Sequence, residues 1–146
     1  MKIKLVPYAG SERDIRHIRD TVFGQEQKIP RELDWDGNDR HCNHVVATDN
    51  EGNAIGVGRI APDGKIGRLA VLKQWRSRGV GAKMLEALVD SARSRGLEKV
   101  YLHAQVQAVP FYENSGFEKD GDVFIEAGIW HVNMMRHTRS NPECDA

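Results

Sequence analysis

Arg76-Ser77-Arg78-Gly79-Val80-Gly81 stands between a strand-like run and the most strongly periodic apolar stretch of the chain. Glycines at such a junction let the backbone approach a ligand closely, and the first N–H groups of a following helix are unpaired donors. With the helix dipole behind them they form an anion site suited to a pyrophosphate. Arg76, Arg78 and Lys83 add positive charge around it. Taken alone, the segment also reads as a plain strand-to-helix turn with surface arginines.

Two other phosphate loops are excluded by spacing. A Walker loop requires two glycines separated by four residues, followed by Lys and Ser or Thr, and the chain has no such run. A dinucleotide fingerprint requires a third glycine where Gly79-Val80-Gly81-Ala82-Lys83-Met84 places Met84.

Working outward, Gly81, Met84, Leu85, Leu88 and Ala92 share one helical face, with Gly96 placed to end the helix. Upstream, residues 44–48, 54–61 and 66–72 read as three antiparallel strands separated by the turns Asp49–Asn53 and Pro62–Gly64. Residues 2–7 read as a strand. A helix follows from Ser11, its N-cap, with Asp14 as capping-box partner and Ile15, Ile18 and Val22 on its apolar face. Residues 24–43 have little periodicity and read as a functional loop with one short helix. Downstream come a buried strand over Val100–Ala104, a helix over Ala108–Ser115, and strands over Phe117–Ile125 and Trp130–Met135. The order β-α-loop-β-β-β-α-β-α-β-β is that of an α+β domain with one mixed, mostly antiparallel sheet flanked by helices. The 146 residues suit a single domain, with 136–146 expected to be a flexible tail.

The composition narrows the function. Lys plus Arg and Asp plus Glu number 21 each, so no basic excess points to nucleic acid. No apolar run is long enough to span a bilayer, and the N-terminus does not read as a signal peptide, so a cytoplasmic location is expected. Cys42 and Cys144 are expected to be free thiols. His41, Cys42 and His44 do not make a complete ligand set, and no metal is expected.

The loop motif, together with Gln105, Ala108, Tyr112 and Gly116-Phe117 at further fixed intervals, resembles the GNAT superfamily of acetyltransferases. That family's loop reads Arg or Gln, two residues, Gly, one residue, then Gly or Ala. Its usual Asn is replaced here by Gln105, which keeps the amide. Phe23-Gly24-Gln25-Glu26-Gln27, Asp34-Trp35-Asp36, His44, Ala104-Gln105 and Glu126 to His131 are similar to the small ElaA-like bacterial branch.

The resemblance implies acetyl-CoA as cofactor. It would be held by Leu69, Ala70 and Val71 along the pantetheine arm, by Arg76, Ser77, Arg78, Gly79, Val80, Gly81 and Ala82 at the pyrophosphate, and by Gln105, Ala108, Phe111 and Tyr112 beyond. It implies transfer of an acetyl group to the primary amine of a small molecule or peptide, and a homodimer is common in the family. Tyr112 is the candidate general acid, since a phenol is protonated at neutral pH. Glu26 and His131 are candidate bases, and Glu26, Gln27, His44, Glu126 and His131 are candidate acceptor ligands. His103, on the short buried strand, reads as structural. Asp34, Asp36 and Asp39 read as a solvated loop face or as an attractor for a cationic acceptor. A non-catalytic CoA-binding module on the same fold, or a CoA thioesterase, remains as an alternative.

Overall fold

The computed structural model describes residues 1–139; Cys144 and the rest of the expected tail lie outside them. An eight-stranded mixed sheet runs β1 (Lys2–Val6), β2 (Asn43–Thr48), β3 (Ala54–Ile60), β4 (Lys65–Val71), β5 (Lys99–Gln105), β8 (Ile129–His137) and β6 (Glu118–Lys119), with β7 (Phe124–Glu126) also paired to β8. The first four strands form the expected antiparallel meander. β5 joins β4 in parallel and β8 returns antiparallel to β5. The long final segment yields one more strand than expected: Asp120 to Val123 interrupts it, so β6 and β7 pair successive stretches of β8.

Two apolar layers cover the sheet. The helix α3 (Val80–Ser94) buries Met84, Leu85, Leu88, Val89 and Ala92 completely against one face, each large side chain contributing roughly 1.5–3 kcal/mol. It ends as the sequence suggests, with Gly96 in the left-handed region at φ 83°. The short helix α4 (Val109–Asn114), with Pro110 in its first turn, lies on the same side. On the opposite face the helix α1 (Glu12–Arg19) buries Ile15 and Ile18 over Val46, Val57 and Ala70.

Three local expectations change. Ser11 makes no side-chain capping bond, so the capping box does not form. The helix does not stop near Val22 but widens into a π-helical turn over Asp20–Glu26 before α2 (Arg31–Asp34). Nor is the chain loose from Arg136 on: His137 completes β8, and buried Thr138 donates its N–H to Glu98 O and its hydroxyl to Leu97 O.

The functional geometry comes from a failure of pairing. β4 and β5 are in register only at Lys65 with Tyr101 and Ile66 with Leu102, and then they splay apart. A bulge at Arg68–Leu69, opposite Gly58, breaks the β3–β4 ladder at the same level. Bulges of this kind bend a strand and redirect its side chains.

Candidate active site

The splayed strands open a cleft of about 440 Å³ on the face that carries α1. Its floor is the outward row of β5, His103 and Gln105, with Gly67 and Leu69 of β4. Phe23, Gln27, Ile29 and Leu33 form one wall, and Glu126, Ile129 and His131 of the β7–β8 hairpin form the other. Ala108 and Tyr112 close one side.

β4 leads straight into the glycine loop. Ser77 and Gly79 both take left-handed backbone, at φ 64° and 83°, and α3 begins at Val80. Gly81 packs against Phe111: an added Cβ would sit 3.1 Å from Phe111 Cζ. The loop is thus one residue removed from Tyr112. Its charge is arranged differently from the expectation. Arg76 donates from Nε to Val71 O at 2.9 Å and from both Nη atoms to Glu26, at 2.7 and 2.9 Å. Arg76 therefore anchors the loop rather than offering a free cation. Arg78 stacks over Trp75, 5.0 Å from the ring centroid.

The same pair bears on Glu26. The hydrogen bond from Arg76 holds its carboxyl below the ordinary value, and Glu26 is not among the cleft residues. A carboxylate so engaged is a weak base, so the geometry favours Glu26 as the loop's anchor. The backbone of β4 also divides its roles. Leu72 N–H donates to Ile55 O, and Ala70 lies opposite Val57. Because antiparallel bonding alternates, Ala70 turns toward β3, whereas Val71 turns toward the gap.

Tyr112 lines the cleft, with its ring edge-on to Phe111 and Phe117 at centroid distances of 5.0 and 6.0 Å. Burial pushes its phenol up to about 12. Gln105 donates to Gln27 Oε1 at 2.9 Å, joining the floor of the cleft to one wall.

His131 is nearly buried, and its Nδ1 lies 2.7 Å from Ile129 O. A carbonyl can only accept, so Nδ1 carries a proton, and in the neutral ring Nε2 is the nitrogen with the lone pair. That Nε2 stands 3.9 Å from Glu126 Oε2, while Glu126 Oε1 is 2.9 Å from His103 Nδ1. Burial pushes the Glu126 carboxyl up, but the hydrogen bond and charge of His103, with Lys65 nearby, hold it below the ordinary value. His103 is therefore a cleft residue and not a structural one. Alternation along β5 carries the signal: Val100, Leu102 and Ala104 are buried, and Tyr101, His103 and Gln105 face the other way.

Two other expectations fail. His44 does not reach the cleft; it is buried beside Tyr8, with Nε2 2.8 Å from Asp39 O, and burial lowers its pKa. Asp34 and Asp39 are buried, and Asp36, though exposed, is not free. Arg19 holds Asp34 and Asp39, and Arg59 holds Asp36 and Asp39, at 2.6 to 3.0 Å.

A splayed parallel pair, a glycine loop opening a helix, and a tyrosine at the junction define an acyl-CoA-dependent acyltransferase fold. Residues 15–137 match the acetyltransferase (GNAT) domain, and the chain belongs to that family. It is 38% identical over 131 residues to the uncharacterized N-acetyltransferase YjcF of Bacillus subtilis, covering 85% of this chain and 91% of that one. Among solved structures it is similar to Escherichia coli ElaA, with TM-score 0.83, 25% identity, and coverage of 93% of this chain and 99% of that one. An acyl-CoA N-acyltransferase from Pseudomonas aeruginosa gives TM-score 0.81 and 26% identity, with 93% and 99% covered. The chain is thus an N-acetyltransferase of the GNAT family. No described helix is long and apolar enough to cross a membrane.

Proposed function

We propose that the chain moves an acetyl group from acetyl-CoA to the primary amine of a small molecule or peptide. The observation that carries this reading is the convergence of Tyr112, His131 and Glu126 on the cleft where β4 and β5 part. Backbone groups of Leu69 and Val71, the N–H groups opening α3, and the Phe111–Tyr112 wall fit an extended pantetheine and pyrophosphate.

Attack on a thioester needs an uncharged amine. Glu126 draws the ammonium in, and His131 Nε2 accepts its proton, leaving an imidazolium facing the same carboxylate. As the nitrogen bonds to the carbonyl carbon and the carbon–sulfur bond breaks, the nitrogen sheds its surplus proton to water and the Tyr112 hydroxyl donates a hydrogen bond to the departing thiolate. His131→Ala should lower kcat about 10²-fold at pH 7. The deficit should close as pH rises toward the amine's own pKa, because the acceptor then deprotonates without help. A deficit independent of pH would remove His131 as base.

A thermal-shift titration tests the cofactor. Acetyl-CoA at 100 times its dissociation constant adds about 2.7 kcal/mol, a shift of several degrees for a chain of this size. No shift with any acyl-CoA would overturn the reading. A shift without thiol release from a broad panel of amines would leave a CoA-binding module.

A further inference from the structure

Arg68 is held in a way that its neighbours do not explain. It sits at the β4 bulge with φ 51°, a left-handed backbone that a bulky side chain rarely adopts. The bulge aims its guanidinium at the boundary between the cleft and an adjoining lobe of about 390 Å³, and Arg68 lines both. Neutral backbone carbonyls do most of the holding: Nε donates to Asp34 O at 3.0 Å and Nη2 to Leu33 O at 3.1 Å. Its carboxylate contacts, to Asp34 and Asp36, are both at 3.3 Å. The same aspartates lie closer to Arg19 and Arg59, at 2.8 and 2.6 Å. Among the described residues Nη1 has no hydrogen-bond partner. Burial, then repulsion from Arg59 and Arg19, lowers the Arg68 pKa, as expected for a cation lacking a full counter-charge.

Lys65 completes the arrangement. It lines the same two lobes, and no carboxylate of a described residue lies within ion-pair distance of its ammonium. Arg19, Arg59 and Arg68 balance Asp34, Asp36 and Asp39 in formal charge, and Asp63 lines the adjoining lobe beside Lys65, so the donors left for an anion are the Lys65 ammonium and the unbonded Nη1 edge of Arg68. The β7–β8 wall carries the lone pair of His131 and the carboxylate of Glu126, which also feels the Lys65 charge.

Resting on the acetyltransferase reading above, we propose that the acceptor is an aminocarboxylate of amino-acid size. Its carboxylate pairs with Arg68 Nη1 and the Lys65 ammonium while its amine faces His131 and Glu126. An arginine edge and a lysine suit a carboxylate because the charge-assisted bonds are short and strong. A polyamine would place a second cation against them.

The test uses matched acceptors: amino acids, including β- and γ-amino acids, as free acids and as carboxamides. Each is offered with acetyl-CoA and read by thiol release and by thermal shift at saturating CoA. Free acids should exceed their amides in kcat/KM by tenfold or more, and in thermal shift wherever turnover is absent. Arg68→Met should erase that preference, and Arg68→Lys should restore part of it. Lys65→Met, which breaks no contact holding the loop, should weaken the preference independently should Arg68→Met fail to fold. Amides matching free acids in both readouts, or a preference surviving both methionine variants, would overturn the proposal. Thiol release from amines of every kind without that preference would overturn it while leaving the acetyltransferase reading intact.

Discussion

Tyr112→Phe is expected to lower kcat by about 10²–10³-fold while leaving the affinity for acetyl-CoA within about twofold. The phenylalanine keeps the edge-on contacts with Phe111 and Phe117, so the fold and the pantetheine wall lose nothing but one hydroxyl. What disappears is the donor to the leaving sulfur. A thiol leaves as thiolate with a reference pKa of about 8.5, and the phenol, raised to about 12, stays protonated across the working range. Proton transfer from that phenol to sulfur would be uphill. The hydroxyl therefore acts chiefly by hydrogen bonding to negative charge as it develops, which lowers the barrier without demanding complete transfer. For the same reason Tyr112 should give no descending limb in the kcat profile below about pH 10. Single-turnover thiol release with a fixed amine measures both effects. A rate within threefold of the parent would remove Tyr112 from the chemistry.

The parts of this site legible in the sequence are those whose signal is local. The glycine loop, the face of α3, and the Gln105–Ala108–Tyr112 spacing each follow from the geometry of one element, so the chain order alone displays them. His131 and Glu126 were recognisable as polar residues on late strands, but the hairpin that points both inward depends on β7 pairing with β8. His103 was obscured because a short apolar strand reads as buried on both sides; here one side faces an open cleft. Glu26 and His44 went astray for a shared reason. A carboxylate or imidazole advertises its chemistry in the sequence but not its partner. Arg76 lies 50 residues from Glu26, and the Asp39 carbonyl reaches His44 only because the loop folds over β2. Arg68 gave no sequence signal at all, since the bulge that redirects it arises from strand register.

The acidic loop is the furthest departure, and Arg19 supports it. Arg19→Met is expected to destabilise the protein by about 3–5 kcal/mol, lowering Tm by about 10 °C. The side chain is 1% exposed, and each of its three guanidinium nitrogens is bonded. Nε and Nη2 bond Asp34 Oδ1 at 3.0 and 2.8 Å, Nη2 also bonds Asp34 O at 2.7 Å, and Nη1 bonds Asp39 Oδ1 at 2.6 Å. Trp35 covers it, 4.0 Å from ring centroid to Cζ. Methionine fills similar volume, so packing is largely retained, and the loss isolates the cost of leaving buried carboxylates short of one cation. Arg59 and Arg68 cannot make it good, because each already serves Asp36 as well. Since Leu33, Asp34 and Asp36 belong to the cleft wall, the variant should also raise KM for the amine while CoA affinity holds. Acid should act on the same network. Burial pushes the Asp36 carboxyl up, but hydrogen bonds from Arg59 and Asn38 N–H outweigh it and hold the group well below the usual carboxylate range. A depressed folded pKa contributes stability above the unfolded value near 3.9 and loses it as pH falls through that value and below. Urea midpoints should therefore drop steeply below about pH 4 in the parent and less steeply in Asp36→Asn, which lacks the titrating group. An Arg19→Met variant within about 1 kcal/mol of the parent would mean that the loop's carboxylates are compensated elsewhere, and the network would lose its place as the support of the acceptor wall.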